Sequence, residues 1–313
     1  MSGRSEAARP FGATGLQVPP ITIGTARWRD GTGRVARAAH TDALLTSLTD
    51  ADQPFVLDTA NSYGNSEQRI GDFYASRGGV PGHALIQTKA DRDFATGDFS
   101  GARMRQSLQE SCDRLRLPAL PMVYIHDPEN TSWDQAMAAD GPVGALIEAR
   151  EEGLIEHLGL SGGTVDVMER YVRTGHFEAL VTHMRWTLVD RSADALLSAA
   201  HERGMGIMNA APYGGGLLAQ YPAATSRYAY GEAAPEVAAA ADSIGRACAD
   251  HDIPIAAAAL QFSARDDRID STIVGVLEQN DWNATSELLR VAVPQSLWDT
   301  VEAVLPPASL WQR

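Results

Sequence analysis

Four side chains capable of proton chemistry leave three successive apolar runs at the same end. Asp58 closes the run from Phe55, and Tyr63 follows it five positions later; Lys89 closes the run from Ala84, and His126 closes the run from Met122. A carboxylate, a phenol, an ammonium and an imidazole gathered at one place suit proton transfer to and from a carbonyl oxygen. A phenol at its ordinary value of about 10 is a poor base at neutral pH, and each unit by which it falls takes about 1.4 kcal/mol of preference for the phenolate. If Lys89 stands beside the Tyr63 oxygen, its charge lowers the phenol, while Asp58 keeps the lysine charged and in place. His126 then hydrogen-bonds the substrate oxygen or relays a proton. A C–OH/C=O couple worked in this way also needs a hydride partner. Singly, each residue has an ordinary reading: a tyrosine after a strand is commonly a pocket wall, Asp before Thr-Ala a helix-entry cap, and a strand-end lysine solvent-facing. Joint placement at three successive strand ends is what carries the chemistry.

The elements that must position these residues are legible as alternation. Short β-branched or apolar runs occur at Ile21 to Thr25, Phe55 to Asp58, Ala84 to Lys89, Met122 to His126, Glu156 to Ser161, Leu180 to Arg185, Gly206 to Ala211 and Thr272 to Val276, with helical patterns between them. One such pattern places Met104, Leu108, Cys112 and Leu115 on a core face, with Arg105, Glu110, Asp113 and Arg116 between them. Eight strand/helix units predict an α/β fold, a closed (β/α)8 TIM barrel with all strand ends on one catalytic face. The stretch Phe11 to Val18, with Gly12 and Gly15, predicts an N-terminal β-hairpin covering the barrel bottom. Irregular connections are expected at Arg27 to Gly33, Glu129 to Pro142 and Gly214 to Gly231, where they would shape the pocket. A single domain over residues 1–313 is expected, since barrels of this size are commonly one domain.

Composition narrows the partners. A formal net charge of -14 works against nucleic acid and anionic membrane surfaces, so the expected partner is a small-molecule substrate. The two cysteines, Cys112 and Cys248, lie far apart in helical patterns with no Cys/His cluster, so neither a disulfide framework nor a metal site is indicated. The first ten residues carry Arg4, Glu6 and Arg9 with no apolar core of a signal peptide, and no later run approaches the roughly 18 apolar residues of a spanning helix. A cytoplasmic protein, monomer or homodimer, is the expectation.

The chain resembles the aldo-keto reductase family. The resemblance rests on Leu57-Asp58-Thr59-Ala60, Tyr63-Gly64, Ser66-Glu67 and Thr88-Lys89, then Ser107-Leu108, Ser111 and Arg114-Leu115, then Tyr124-Ile125-His126-Asp127-Pro128. It continues through Gly159-Leu160-Ser161, Pro212 with Gly216-Leu217-Leu218, and Ile273-Val274-Gly275. It implies a (β/α)8 barrel with a nicotinamide extended over the catalytic face, Tyr63 as general acid/base, Asp58 and Lys89 tuning it, and His126 orienting the substrate. Within the family, Thr182 to Leu188 with Asp190, and Asn209-Ala210-Ala211-Pro212-Tyr213, resemble bacterial dehydrogenases that oxidise L-fucose, D-threo-aldoses or galactose at C1, and their pyridoxal-oxidising relatives. In that subgroup the phenolate takes the anomeric hydroxyl proton and the C1 hydride passes to the nicotinamide, giving a lactone.

No G-x-G-x-x-G fingerprint or P-loop occurs, so the cofactor must be gripped otherwise. The resemblance implies Ser161 at the carboxamide, although the asparagine usual after it is Gly162 here, and His183 stands where many members have glutamine. Further cofactor contacts are expected from Pro212, Tyr213, Gly215, Gly216, Leu217, Val274, Gly275 and Asp281, with Gly214 to Gly216 letting backbone N–H groups approach a pyrophosphate. The Gly214–Gly216 run also reads as a flexible loop. Because Val276 to Asp281 holds no cation and does hold Glu278 and Asp281, NAD is expected over NADP. The aromatic residue that commonly stacks on the nicotinamide falls near Ala210. Pocket walls are expected from Trp28, Trp133, Arg185 and Tyr213, since sugars stack on rings and hydrogen-bond to arginine. Three alternatives stand beside aldose oxidation: carbonyl reduction by the same residues, a nicotinamide-binding regulatory subunit, and a serine hydrolase built on Gly159-Leu160-Ser161-Gly162-Gly163.

Overall fold

A computed structural model describes residues 7–31 and 35–312. Eight parallel strands close into a barrel. In chain order they are β1 (Ile21–Gly24), β2 (Phe55–Asp58), β3 (Ala84–Ala90), β4 (Leu120–His126), β5 (Ile155–Gly162), β6 (Ala179–His183), β7 (Gly206–Ala210) and β8 (Ser271–Gly275). Each pairs with its sequence neighbour, and β8 closes the ring on β1 with Thr272 opposite Ile21. The strands are buried along nearly their whole length because one face meets the barrel interior and the other the helices, which is why they read as continuous apolar runs.

The helix Gly101–Leu115 shows the local logic. Ser100 caps it by accepting the Arg103 N–H at 3.2 Å, and Met104, Leu108, Cys112 and Leu115 are all buried. It ends at Arg116, whose φ of 59° is left-handed and stops the helix. Both cysteines are free thiols and buried.

The antiparallel pair Arg9–Pro10 and Gln17–Val18 forms the expected hairpin. Its tip drives Phe11, fully buried, into an interior cluster with Val18, Val56, Leu85, Met122 and Met208. Burying that ring contributes about 1.5–3 kcal/mol. The plug requires Gly206 at the start of β7, where a Cβ would lie 2.5 Å from the Phe11 ring. Thus the end of the barrel opposite Lys89 and His126 is sealed by packing.

Two stretches expected to be irregular carry structure. Glu129 to Pro142 contains the short helix Trp133–Ala136, closed by a capping box between Ser132 and Gln135, because those two residues satisfy each other's backbone donors. Gly214 to Gly231 begins with a single 3-10 turn, Gly214–Gly216, and then forms a two-stranded ribbon, Arg227–Tyr228 with Gly231–Glu232. Among the described residues, no helix is long and apolar enough to cross a membrane.

Candidate active site

The ends of β2, β3 and β4 bring the four sequence-singled residues together. Lys89 Nζ donates to both carboxylate oxygens of Asp58, at 2.8 and 3.0 Å, to the Thr59 carbonyl at 2.8 Å and to the Tyr63 hydroxyl at 3.3 Å. Asp58 and Lys89 are 4% and 2% exposed, so this is an ion pair inside the barrel mouth. His126 stands edge-on to Tyr63, with ring centroids 6.1 Å apart and planes at 79°. Its Nδ1 lies 2.6 Å from Asp91 Oδ1.

Electrostatics at this cluster are set by burial as much as by charge. Burial opposes the Lys89 charge, but the Asp58 carboxylate and then the Tyr63 oxygen more than offset it, and the ammonium is held well above its ordinary value. Tyr63 corrects the expectation from sequence. Burial pushes its hydroxyl up, Lys89 pulls it down by less, and Asp58 adds to the rise, so the phenol sits above its ordinary range rather than below it. Desolvation of the phenolate outweighs the neighbouring cation because Asp58 neutralises much of that cation.

A polar scaffold fixes this geometry. Inside the barrel, Tyr124 donates to Gln87 Oε1 at 3.1 Å and Gln87 Nε2 donates to Asp58 Oδ1 at 2.8 Å. Outside it, the turn carrying Tyr63 is tied to the helix Gly101–Leu115: Asn61 Nδ2 donates to the Ser107 carbonyl and to Glu110, and Arg114 donates to the Asn61 carbonyl. Arg103 spans Glu110, Asn61 and the Asp91 carbonyl. The motif around Ser107 and Arg114 therefore acts by bracing the Tyr63 turn.

The description Aldo/keto reductase family belongs to a family model that matches residues 20–306. The chain belongs to that family. It is 31% identical to D-threo-aldose 1-dehydrogenase of Pseudomonas sp over 94% of this chain and 97% of that one. L-galactose dehydrogenase of Arabidopsis thaliana is 28% identical over 96% and 94% of the two chains. Pyridoxal 4-dehydrogenase of Microbacterium luteolum is 25% identical over 94% and 96%. An aldo-keto reductase from Bacillus halodurans, solved in its holo form, matches with a TM-score of 0.78 over 99% of both chains at 18% identity, which shows the shared fold. This aldo-keto reductase is thus an NAD(P)-dependent oxidoreductase.

The residues singled out for the cofactor lie on β5 to β8 and the segments that follow them. Ser161 is 3% exposed and lies within β5, opposite His126 in the β4/β5 register, rather than on the sharp turn that a hydrolase nucleophile occupies. Gly162 departs from the usual asparagine for a visible reason. A Cβ there would lie 2.7 Å from Glu129 Oε2, because the Glu129 side chain fills that space. Glu129 Oε1 accepts the Gly163 N–H at 2.9 Å, while Oε2 is buried with no hydrogen-bond partner. A buried acceptor of this kind fits the N–H2 of a carboxamide. His183, at the end of β6, accepts or donates to the Tyr230 hydroxyl at 2.9 Å. Burial and then Arg185 push its imidazole down to about 4, so it is neutral at pH 7.

The glycine run is ordered by packing rather than free. A Cβ on Gly214 would meet the Tyr228 ring at 2.4 Å, and Gly215 has φ 79° against the Ala229 carbonyl. Pro212 and Leu217 are buried, Leu217 in the main core, and Tyr213 packs with Ile21, Leu260 and Val274 rather than forming a sugar wall. Gly275 ends β8 with open space beside it. Asp281 Oδ2 accepts the Leu277 N–H at 3.1 Å in the first turn of the helix Gln279–Arg290. Glu278 pairs with His40 Nδ1 at 2.9 Å, a partner from another helix that the loop sequence does not disclose.

The expected pocket walls Trp28, Trp133 and Arg185 also make structural contacts. Trp28 is fully buried and donates from Nε1 to the Val276 carbonyl at 2.6 Å, so it joins the loop after β1 to the end of β8. Trp133 packs against Tyr171, with ring centroids 5.0 Å apart, and has the Arg170 guanidinium 4.1 Å from its ring. Arg185 is 8% exposed, donates to the His183 carbonyl at 3.1 Å and lies against Gly163. Sequence reasoning missed Asp91, Glu129 and Tyr230. Asp91 was within reach, because it lies two residues after Lys89. Glu129 and Tyr230 come from loops whose course no local pattern specifies. Tyr230, 70% exposed and bonded to His183, is an aromatic surface presented at the catalytic rim.

Proposed function

We propose that this aldo-keto reductase oxidises the C1 hydroxyl of an aldose to the lactone, using NAD. The observation that supports this reading most is the Lys89 ammonium set between the Asp58 carboxylate and the Tyr63 hydroxyl, at 2.8 and 3.3 Å. Two relatives of near full-length match carry names of aldose dehydrogenases. A bound nicotinamide supplies the hydride acceptor. Ser161, His183 and the unpaired Glu129 Oε2 would hold its carboxamide, with Glu129 serving where the family's asparagine is replaced by Gly162. Pro212, Tyr213, Gly215, Gly216, Leu217, Val274 and Gly275 would hold the rest of the dinucleotide, the two glycines through their backbone N–H groups. Glu278, paired with His40, and Asp281, whose Oδ2 holds the Leu277 N–H, would disfavour a 2′-phosphate there, and NAD is the cofactor this favours.

His126 and Tyr63 bind the oxygen on C1. Tyr63 exchanges the hydroxyl proton, Lys89 stabilises negative charge as it develops on the phenol oxygen, and Asp58 holds Lys89 in place. Tyr230 offers the sugar a ring at the rim. Carbonyl reduction is the second reading, favoured by one observation: burial holds Tyr63 in its protonated form, the state a general acid needs.

An aldose panel with NAD and with NADP, followed at 340 nm, separates these. Lactone formation with a clear NAD preference is expected. Absence of turnover with every aldose, combined with NAD(P)H-dependent reduction of simple aldehydes or ketones, would establish the reductase reading instead. A clear NADP preference would overturn the roles given to Glu278 and Asp281.

A further inference from the structure

The two nitrogens of His126 are in unlike surroundings. Nδ1 is 2.6 Å from Asp91 Oδ1, whereas Nε2 has Asp127 Oδ1 at 3.8 Å, beyond hydrogen-bonding reach. Asp91 is 2% exposed and held from several sides. Its Oδ2 accepts the Ser62 N–H at 2.8 Å, its own N–H donates to Ser107 Oγ at 3.0 Å, and Arg103 Nε donates to its carbonyl at 3.1 Å. Burial would raise the Asp91 carboxyl, but the bonds from His126 and Ser62 keep it below the ordinary carboxylate range, so it is charged at neutral pH. A fixed carboxylate on one ring nitrogen places the neutral imidazole's proton there and leaves the lone pair on the other. It also stabilises the ring once both nitrogens are protonated.

We propose that Asp91 is a positioning residue for proton transfer: it holds His126 by Nδ1–H, so that Nε2 is the proton acceptor in oxidation and the donor in the reverse reaction. This inference rests on the dehydrogenase reading of the same site. In the forward step the substrate O–H bond breaks, and its proton enters the Tyr63/His126 pair and comes to rest on Nε2. The electron pair of the C1–H bond leaves as hydride to the oxidised nicotinamide, and the C1–O bond becomes a carbonyl. His126 ends as an imidazolium bonded to Asp91, and the charge lost by the nicotinamide reappears on that ring. The arrangement gives a buried phenol that is reluctant to ionise a neighbouring base that can. The charged groups facing His126 act in both directions. Asp91 from β3 and Asp127 beside it favour the second proton, Lys89 disfavours it, and His183 from β6 is neutral and Tyr63 protonated at pH 7.

The test is nitrogen-15 NMR of histidine-labelled protein, with His126 assigned by its loss in His126→Gln, together with the pH profile of aldose oxidation. In the wild-type protein the neutral ring is expected to carry its proton on Nδ1. Asp91→Asn removes the carboxylate from Nδ1 and should shift the neutral ring toward the Nε2-protonated tautomer. The acidic limb of the kcat profile should move to lower pH while the plateau falls, and nicotinamide binding should stay unchanged. In a His126→Gln background, Asp91→Asn should shift nothing further. A wild-type ring protonated on Nε2 when neutral, or an unchanged tautomer in Asp91→Asn, would overturn the proposal. The tautomer measurement decides even if Asp91→Asn fails to fold. Because the NMR arms need no substrate, failure to oxidise any aldose would sink the functional reading without touching the dyad, and turnover with an unmoved His126 would do the reverse.

Discussion

Replacing Lys89 by methionine separates what the ammonium does for the fold from what it does for the chemistry. Its Nζ contacts both Asp58 oxygens, the Thr59 carbonyl and the Tyr63 hydroxyl. Methionine keeps the length of the side chain and removes the charge, leaving Asp58 at 4% exposure without its cation. Breaking a buried pair in this way costs about 3–5 kcal/mol of stability. A unit charge 3.3 Å from the phenol oxygen acts on a phenolate with about 5 kcal/mol at an effective dielectric of about 20. Asp58, bonded to the same ammonium, cancels a large part of that. A residue of about 1–3 kcal/mol corresponds to roughly 5- to 150-fold in rate. Lys89→Met should therefore unfold at lower temperature and turn over more slowly. Adding Asp58→Asn removes the stranded carboxylate and should restore most of the stability but none of the rate. Thermal unfolding and kcat for aldose oxidation check both. A double variant with wild-type turnover would refute the role given to the ammonium, and a single variant as stable as wild type would refute the buried-pair argument.

Tyr63→Phe should reduce turnover by about 10²-fold or more while leaving nicotinamide affinity unchanged by fluorescence titration; full activity would remove Tyr63 from the mechanism. Glu129→Ala should weaken nicotinamide binding by up to about tenfold, the worth of one hydrogen bond of 0.5–1.5 kcal/mol, and unaltered affinity would mean that Oε2 does not meet the carboxamide. Burial holds the Tyr63 phenol above its ordinary value of about 10, so in the reduction direction the acid stays protonated through neutral and mildly alkaline pH. The reduction rate should stay level there and fall only as the phenol ionises. A decline of that rate beginning between pH 7 and 8 and assignable to Tyr63 would show a lowered phenol instead.

Much of this architecture was legible because burial on both faces makes each barrel strand an unbroken apolar run. All eight strands fall within two residues of the ends read from sequence, including the ends at Asp58 and His126. A closed parallel barrel then places every strand end on one face, so contact among Asp58, Lys89 and Tyr63 follows from topology. The roles of Trp28 and Trp133 did not follow, because residue type indicates an aromatic surface without saying which way it faces. Trp28 turns inward to the Val276 carbonyl, and Trp133 packs against Tyr171 and Arg170.

The sign of the Tyr63 shift marks where sequence stops being sufficient. Residue types supply the charges, and from them alone a cation beside a phenol must lower it. The outcome depends on two quantities that only distance and burial give: the phenolate's lost hydration and the share of the Lys89 charge that Asp58 has already taken. Once those decide against a free phenolate, the proton released in oxidation needs another resting place. The imidazole held against Asp91 at 2.6 Å stands beside Tyr63 with one nitrogen open. The unfavourable shift on Tyr63 and the buried carboxylate behind His126 are therefore best understood together, as two halves of one proton-transfer device rather than as a strained acid and an unrelated ion pair.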